Sequence, residues 1–79
     1  MKYNITLADP NNDHWISQSR TGASLRRAGF TKLIWTTGSF RRNGPSLHRW
    51  ACEGDTESLM ILKLAADVEK IEEVLEHTT

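Results

Sequence analysis

Residues 3–7 alternate, with Tyr3, Ile5 and Leu7 on one side and Asn4 and Thr6 on the other. That period of two predicts a half-buried strand. A run of turn formers follows (Asp9, Pro10, Asn11, Asn12 and Asp13), which ends the strand and supplies several helix caps. From Asp13 to Phe30 the spacing of Trp15, Ala23, Leu25, Ala28 and Phe30 permits a helix. Gly22 weakens the middle of that helix, and Gly29 is placed to end it. Residues 32–40 are rich in β-branched and aromatic side chains (Ile34, Trp35, Thr36 and Thr37) and predict a second strand. Residues 41–46 form the clearest loop in the chain, because Asn43-Gly44 and Pro45 both punctuate structure. Residues 47–52 read as a short third strand, closed by Glu53, Gly54 and Asp55.

The remaining residues admit three readings. Asp55 or Thr56 caps a helix over residues 56–66, through Leu59, Leu62 and Ala66, and residues 68–75 return as a final strand. Alternatively the helix continues, since Ile61, Leu64, Ala65, Val68, Ile71 and Leu75 keep helical spacing with no Gly or Pro between them. A third parse makes residues 59–64 a strand and residues 67–77 a helix. The first is preferred, because the capping residues are present and four successive apolar residues suit a buried helix. It gives the order β-α-β-β-α-β, which resembles the split βαβ, or ferredoxin-like, plan: a small antiparallel sheet with two helices on one face. Small proteins of that plan include CRISPR-associated endoribonucleases, in which an Asp at the end of the first strand binds metal. Asp9 is the position here that such a resemblance would implicate. Shared topology does not by itself carry function.

Length and composition narrow the class. Seventy-nine residues make a single α+β domain with one thin core. With 38% apolar and 25% charged residues the chain is too apolar and too balanced for disorder. The one cysteine, Cys52, cannot form an intrachain disulfide. No apolar run approaches the roughly 20 residues that cross a bilayer, and the first residues lack the apolar segment of a secretory signal. A cytoplasmic protein without membrane attachment is expected.

Charge changes the picture more. The net charge is zero, yet no Asp or Glu lies between His14 and Cys52, where Arg20, Arg26, Arg27, Lys32, Arg41, Arg42 and Arg49 all lie. The flanks hold all ten acids against Lys2, Lys63 and Lys70. Asymmetry on this scale speaks of partners, unless the acidic tail packs beside the basic middle and neutralises it. The basic segment also contains or adjoins Trp15, Phe30, Trp35, Phe40 and Trp50. Arginines grip phosphates bidentately and exposed aromatics stack unpaired bases. Against this, a small core also needs large side chains.

The first expectation is therefore a non-enzymatic module that engages RNA, DNA or another polyanion. Arg41, Arg42 and Arg49 lead as contacts, followed by Arg26, Arg27 and Trp50. The alternative is a small phage or mobile-element inhibitor that binds a host protein, using the carboxylates of residues 69–76 to imitate a phosphate backbone. A third reading is a ribonuclease using Asp9 or His48. No metal-ligand spacing, phosphate loop, hydrolase triad or cofactor fingerprint is present, so no metal or cofactor is expected. A homo-oligomer is expected from an open sheet face, with Leu7, Trp35 and Trp50 as contributors.

Overall fold

A computed structural model describes residues 1–11, 13–39 and 44–75, with His14 described by its backbone alone. The chain runs β1 (Lys2–Asp9), α1 (His14–Ala28), β2 (Thr31–Ser39), β3 (Ser46–Glu53), α2 (Thr56–Ala65) and β4 (Val68–Val74). The helix-then-strand parse of the last segment is the one the structure takes. The four strands form one sheet in the order β2-β3-β1-β4, and every adjacent pair is antiparallel. Each helix therefore joins two strands that have a third between them.

Residues with few competing options set the helix ends. Upstream of α1, the Asp9 side chain accepts the Asn11 N–H, Asn11 accepts from Asp13, and Asp13 accepts from Trp15 and Ile16. Three successive side chains thus turn the chain from β1 into α1 and cap its first turn. α1 ends at Gly29, which takes φ +108° while its N–H and that of Phe30 bond to Arg26 and Leu25 carbonyls. That left-handed closure favours glycine. Asp55 caps α2 by accepting the Ser58 N–H at 2.8 Å.

These backbone and hydroxyl donors hold the Asp55 carboxyl below its ordinary value. A carboxyl lowered in the folded state contributes its full stability above the unfolded value and loses it as pH falls through the folded one. Asp55→Asn, whose amide also caps, is therefore expected to leave the urea midpoint near neutral pH little changed. It should also reduce the loss of stability between pH ~5 and pH ~2. An acid profile identical to that of the wild type would show that the cap does not supply this sensitivity.

The sheet buries one face. Tyr3, Ile5 and Leu7 point inward, opposite Cys52, Trp50 and His48, and join Leu25, Ala28, Phe30 and Leu62 in the core. Tyr3 and Phe30 meet edge to face with centroids 6.2 Å apart. The other face is mixed, with Ile34, Ala51 and Val74 forming an apolar stretch at one end beside polar and charged residues. Asn4 and Thr6 of β1 stand between Ala51 and Arg49 of β3 and Glu72 and Lys70 of β4. The residues expected to make the open face apolar are corrected: Leu7 is in the core, and Trp35 and Trp50 are half-buried with indole N–H groups bonded internally.

Candidate nucleic-acid interface

The strand order folds the segregated charges onto one another unevenly. Arg49 of β3 reaches across β1 to Glu72 of β4 at 3.4 Å, and Lys70 joins the same carboxylate at 3.7 Å. Lys32 of β2 sits 2.9 Å from Glu53, and this hydrogen-bonded ammonium holds the Glu53 carboxyl below its usual range. On the sheet, the acidic flanks do answer the basic middle.

Helix α1 is different, because it contains no acid at all. Arg20, Arg26 and Arg27 are exposed on it. Arg20 lies 3.8 Å from the buried Asp9 carboxylate, whereas Arg26 and Arg27 have no ion-pair partner among the described residues. Their neighbours along the outer face, Ser19, Ala23 and Ser24, are small, so the guanidinium groups are not screened by bulk.

Trp50 and Arg49 follow each other along β3 and so face opposite ways. The Trp50 ring lies beneath α1, where its Nε1–H donates to the Thr21 hydroxyl at 2.9 Å. It passes Gly22 so closely that a Cβ there would lie 3.0 Å from the ring, so the glycine that weakens α1 makes room for the tryptophan. Trp50 keeps one side in a shallow groove of about 270 Å³ between α1 and β2, lined also by Gln18, Ser19, Ala23, Arg26 and Leu33.

The expected contacts therefore divide. Arg26 and Trp50 share one groove, Arg27 lies on the same helix, and Arg49 stands on the far face of the sheet. Arg41 and Arg42 lie outside the described residues. A second hollow, of about 410 Å³, opens on the outer sheet face between Lys2, Asn4, Lys32, Ile34, Ala51 and Val74. Its Lys32 is already held by Glu53, so it offers an anion less.

Arg20 is the basic residue that the leading contacts omit and the structure adds to this face. Its helical spacing from Arg27, seven residues, was the available signal. The N-terminus of α1 offers an anion little, since the Asp13 carboxylate already occupies its first N–H groups.

The residues considered for catalysis are engaged elsewhere. His48 is wholly buried, with Nδ1 accepting from the Trp35 indole at 3.1 Å and Nε2 2.8 Å from the Ser17 hydroxyl. An indole N–H only donates, so Nδ1 is the acceptor and Nε2 carries the proton toward Ser17. Ser17 in turn donates to the Asp13 carbonyl at 2.8 Å. This chain of bonds is a strut between β3 and α1, and it corrects the expectation of a base accessible to RNA. Asp9 is buried and spends its carboxylate on the Asn11 N–H. Burial pushes the Cys52 thiol up to about 11, which keeps it protonated at neutral pH. No His, Cys, Asp or Glu cluster among the described residues could hold a metal ion, and no helix of the described residues is long and apolar enough to cross a membrane. Comparison with protein-family models, curated proteins and solved structures finds no match.

Proposed function

We propose that the protein binds nucleic acid, RNA or DNA, as a non-enzymatic module through the outer face of α1. The observation that carries this reading is the uneven pairing of the basic segment. Arg49, Lys32 and Lys70 on the sheet have carboxylate partners, whereas among the described residues Arg26 and Arg27 have none and Arg20 reaches Asp9 at 3.8 Å. Unpaired arginines on an acid-free helix form a positive patch at no cost in broken ion pairs. The groove holding Trp50 beside Arg26 adds a place for one unpaired base or sugar next to a phosphate contact. The reading fits a cytoplasmic protein, and Arg41 and Arg42 remain part of the proposed contact set. Arg49 moves down the ranking, because binding through it would compete with Glu72.

Titration with single- and double-stranded DNA and RNA oligonucleotides at low salt tests this. Affinity should fall steeply with salt as released counterions are replaced. Arg26→Ala/Arg27→Ala should reduce the salt slope by about two contacts and weaken binding roughly tenfold or more, with the melting temperature little changed. Arg49→Ala should leave affinity within about twofold, since that side chain is already paired. If none of the four nucleic acids binds at low salt, the reading fails.

A second reading, an inhibitor that binds a host protein handling nucleic acid, is supported by edge strand β4. Glu69 and Glu73 are exposed there and have no cationic partner among the described residues. It predicts no useful affinity for nucleic acid, together with capture of a protein partner that is lost on Glu69→Lys/Glu73→Lys.

A further inference from the structure

Helix α2 holds five large apolar residues in ten, Leu59, Met60, Ile61, Leu62 and Leu64. Leu62 is fully buried and Leu59 packs partly against the core. The other three are open to solvent, Met60 at 66%, Ile61 at 44% and Leu64 at 90%. With Glu57 they occupy positions i, i+3, i+4 and i+7, which is one stripe on a helix, on the side away from Leu62. Scattered apolar residues on a surface are ordinary, but three on one helical stripe form a patch suited to being covered.

The sheet edges are poor places for a partner. Edge strand β2 is bulged twice against β3, between Thr31 and Ile34 and between Trp35 and Thr37, and Lys32 sits at φ +53°. Edge strand β4 carries Glu69, Lys70, Glu72 and Glu73 and shifts register where β1 passes from Thr6 to Leu7. Bulges and charges are the usual means by which sheets prevent edge pairing. The α2 stripe has no such guard.

The charges near the two ends of the helix, Glu57 on the stripe and Lys63 beside it, identify the occupant. Glu57 lies in the first turn of α2 and Lys63 in the last. Two copies of this helix, antiparallel and centred between Met60 and Ile61, would set each Met60 against the partner's Ile61. Glu57 would then lie within one residue's rise, about 1.5 Å along the axis, of the partner's Lys63. Each contact would occur twice about a two-fold axis, and the helix dipoles would oppose. We propose that the face formed by Met60, Ile61 and Leu64 docks on the same face of a second copy, in an antiparallel α2–α2 pair flanked by two Glu57–Lys63 ion pairs. This replaces the sheet as the basis for self-association and does not depend on nucleic-acid binding.

Sedimentation equilibrium of the full chain without nucleic acid tests it. So small a stripe implies a weak dimer, with dissociation in the range of about 10 µM to 1 mM. Leu64→Gln should weaken association at least tenfold while the thermal melt stays unchanged, because that side chain is exposed. Glu57→Lys alone and Lys63→Glu alone should each weaken it roughly fivefold, and the double reversal should recover most of that loss. A monomeric wild type throughout that range, or a Leu64→Gln variant that associates as well as wild type, overturns the proposal. A double reversal no better than the single changes overturns the antiparallel pairing.

Discussion

Leu62→Ala is expected to lower the stability of the folded chain by about 2–5 kcal/mol, most of what a domain of this size can lose. Leu62 has no exposed surface and lies in the same core cluster as Ile5, Leu25 and Phe30. It is also the one large side chain that seats α2 fully in the core, because Leu59 is only half-buried and Ser58, the other buried residue of the helix, is small and polar. Truncation removes the transfer energy of the lost carbons and leaves a cavity. A ten-residue helix held mainly at one point can sink a little toward the gap, which favours the lower half of the range. Leu64→Ala, the same substitution two residues along the helix but open to solvent, should change stability by no more than about 0.5 kcal/mol. Urea denaturation of the two variants makes the comparison directly. Equal midpoints would mean that α2 is not held by Leu62.

The same helix explains what could be read from the sequence and what could not. Caps were legible: the Asp13 and Asp55 side chains accept from backbone N–H groups two or three residues on, and Gly29 acts through its own backbone, so nothing distant is needed to recognise them. So was β1, whose alternation is unbroken over Tyr3, Ile5 and Leu7. β4 was ambiguous for a physical reason. Its register against β1 passes from Lys70 to Val68, leaving Glu69 extra, and that bulge turns a period of two into the spacing of three between the inward residues Val68 and Ile71. A bulged strand then imitates a helix. Two bulges in β2 likewise obscure any alternation in Ile34, Trp35, Thr36 and Thr37.

The site was less legible than the fold. Arg49 and Trp50 look like a cluster because they are adjacent, yet adjacency in a strand guarantees opposite faces. Period two applied to β3 also puts Ser46, His48, Trp50 and Cys52 on one side, which marks His48 as inward-facing. The pairing of Arg49 with Glu72 could not be foreseen, because it depends on β1 lying between β3 and β4. No local pattern encodes that order. Arg26 and Arg27 have no ion-pair partner among the described residues, since α1 contains no acid of its own, whereas Arg20 reaches Asp9 at the end of β1.

His48→Ala is expected to cost about 2–4 kcal/mol of stability, not a catalytic step. The imidazole is fully buried and joins two elements with one ring, accepting from Trp35 of β2 at Nδ1 and donating to Ser17 of α1 at Nε2. Alanine would leave the Trp35 indole N–H without this acceptor, and since that donor is only part-buried the cost falls at the low end of the range of about 1–3 kcal/mol for an unsatisfied buried donor. The emptied ring volume adds a cavity term against Ser17 and the core. Ser17 itself suffers less, since its hydroxyl still donates to the Asp13 carbonyl. His48→Phe refills the volume but offers neither nitrogen, so it should recover only the cavity share. His48→Gln can present an amide oxygen to the indole and an amide N–H to Ser17, and it should be the mildest of the three. The order Gln, then Phe, then Ala in decreasing stability, read from urea midpoints, is the signature of a polar strut. If His48→Ala melted with the wild type, the ring would contribute nothing structurally, and its burial between α1 and β2 would require another explanation.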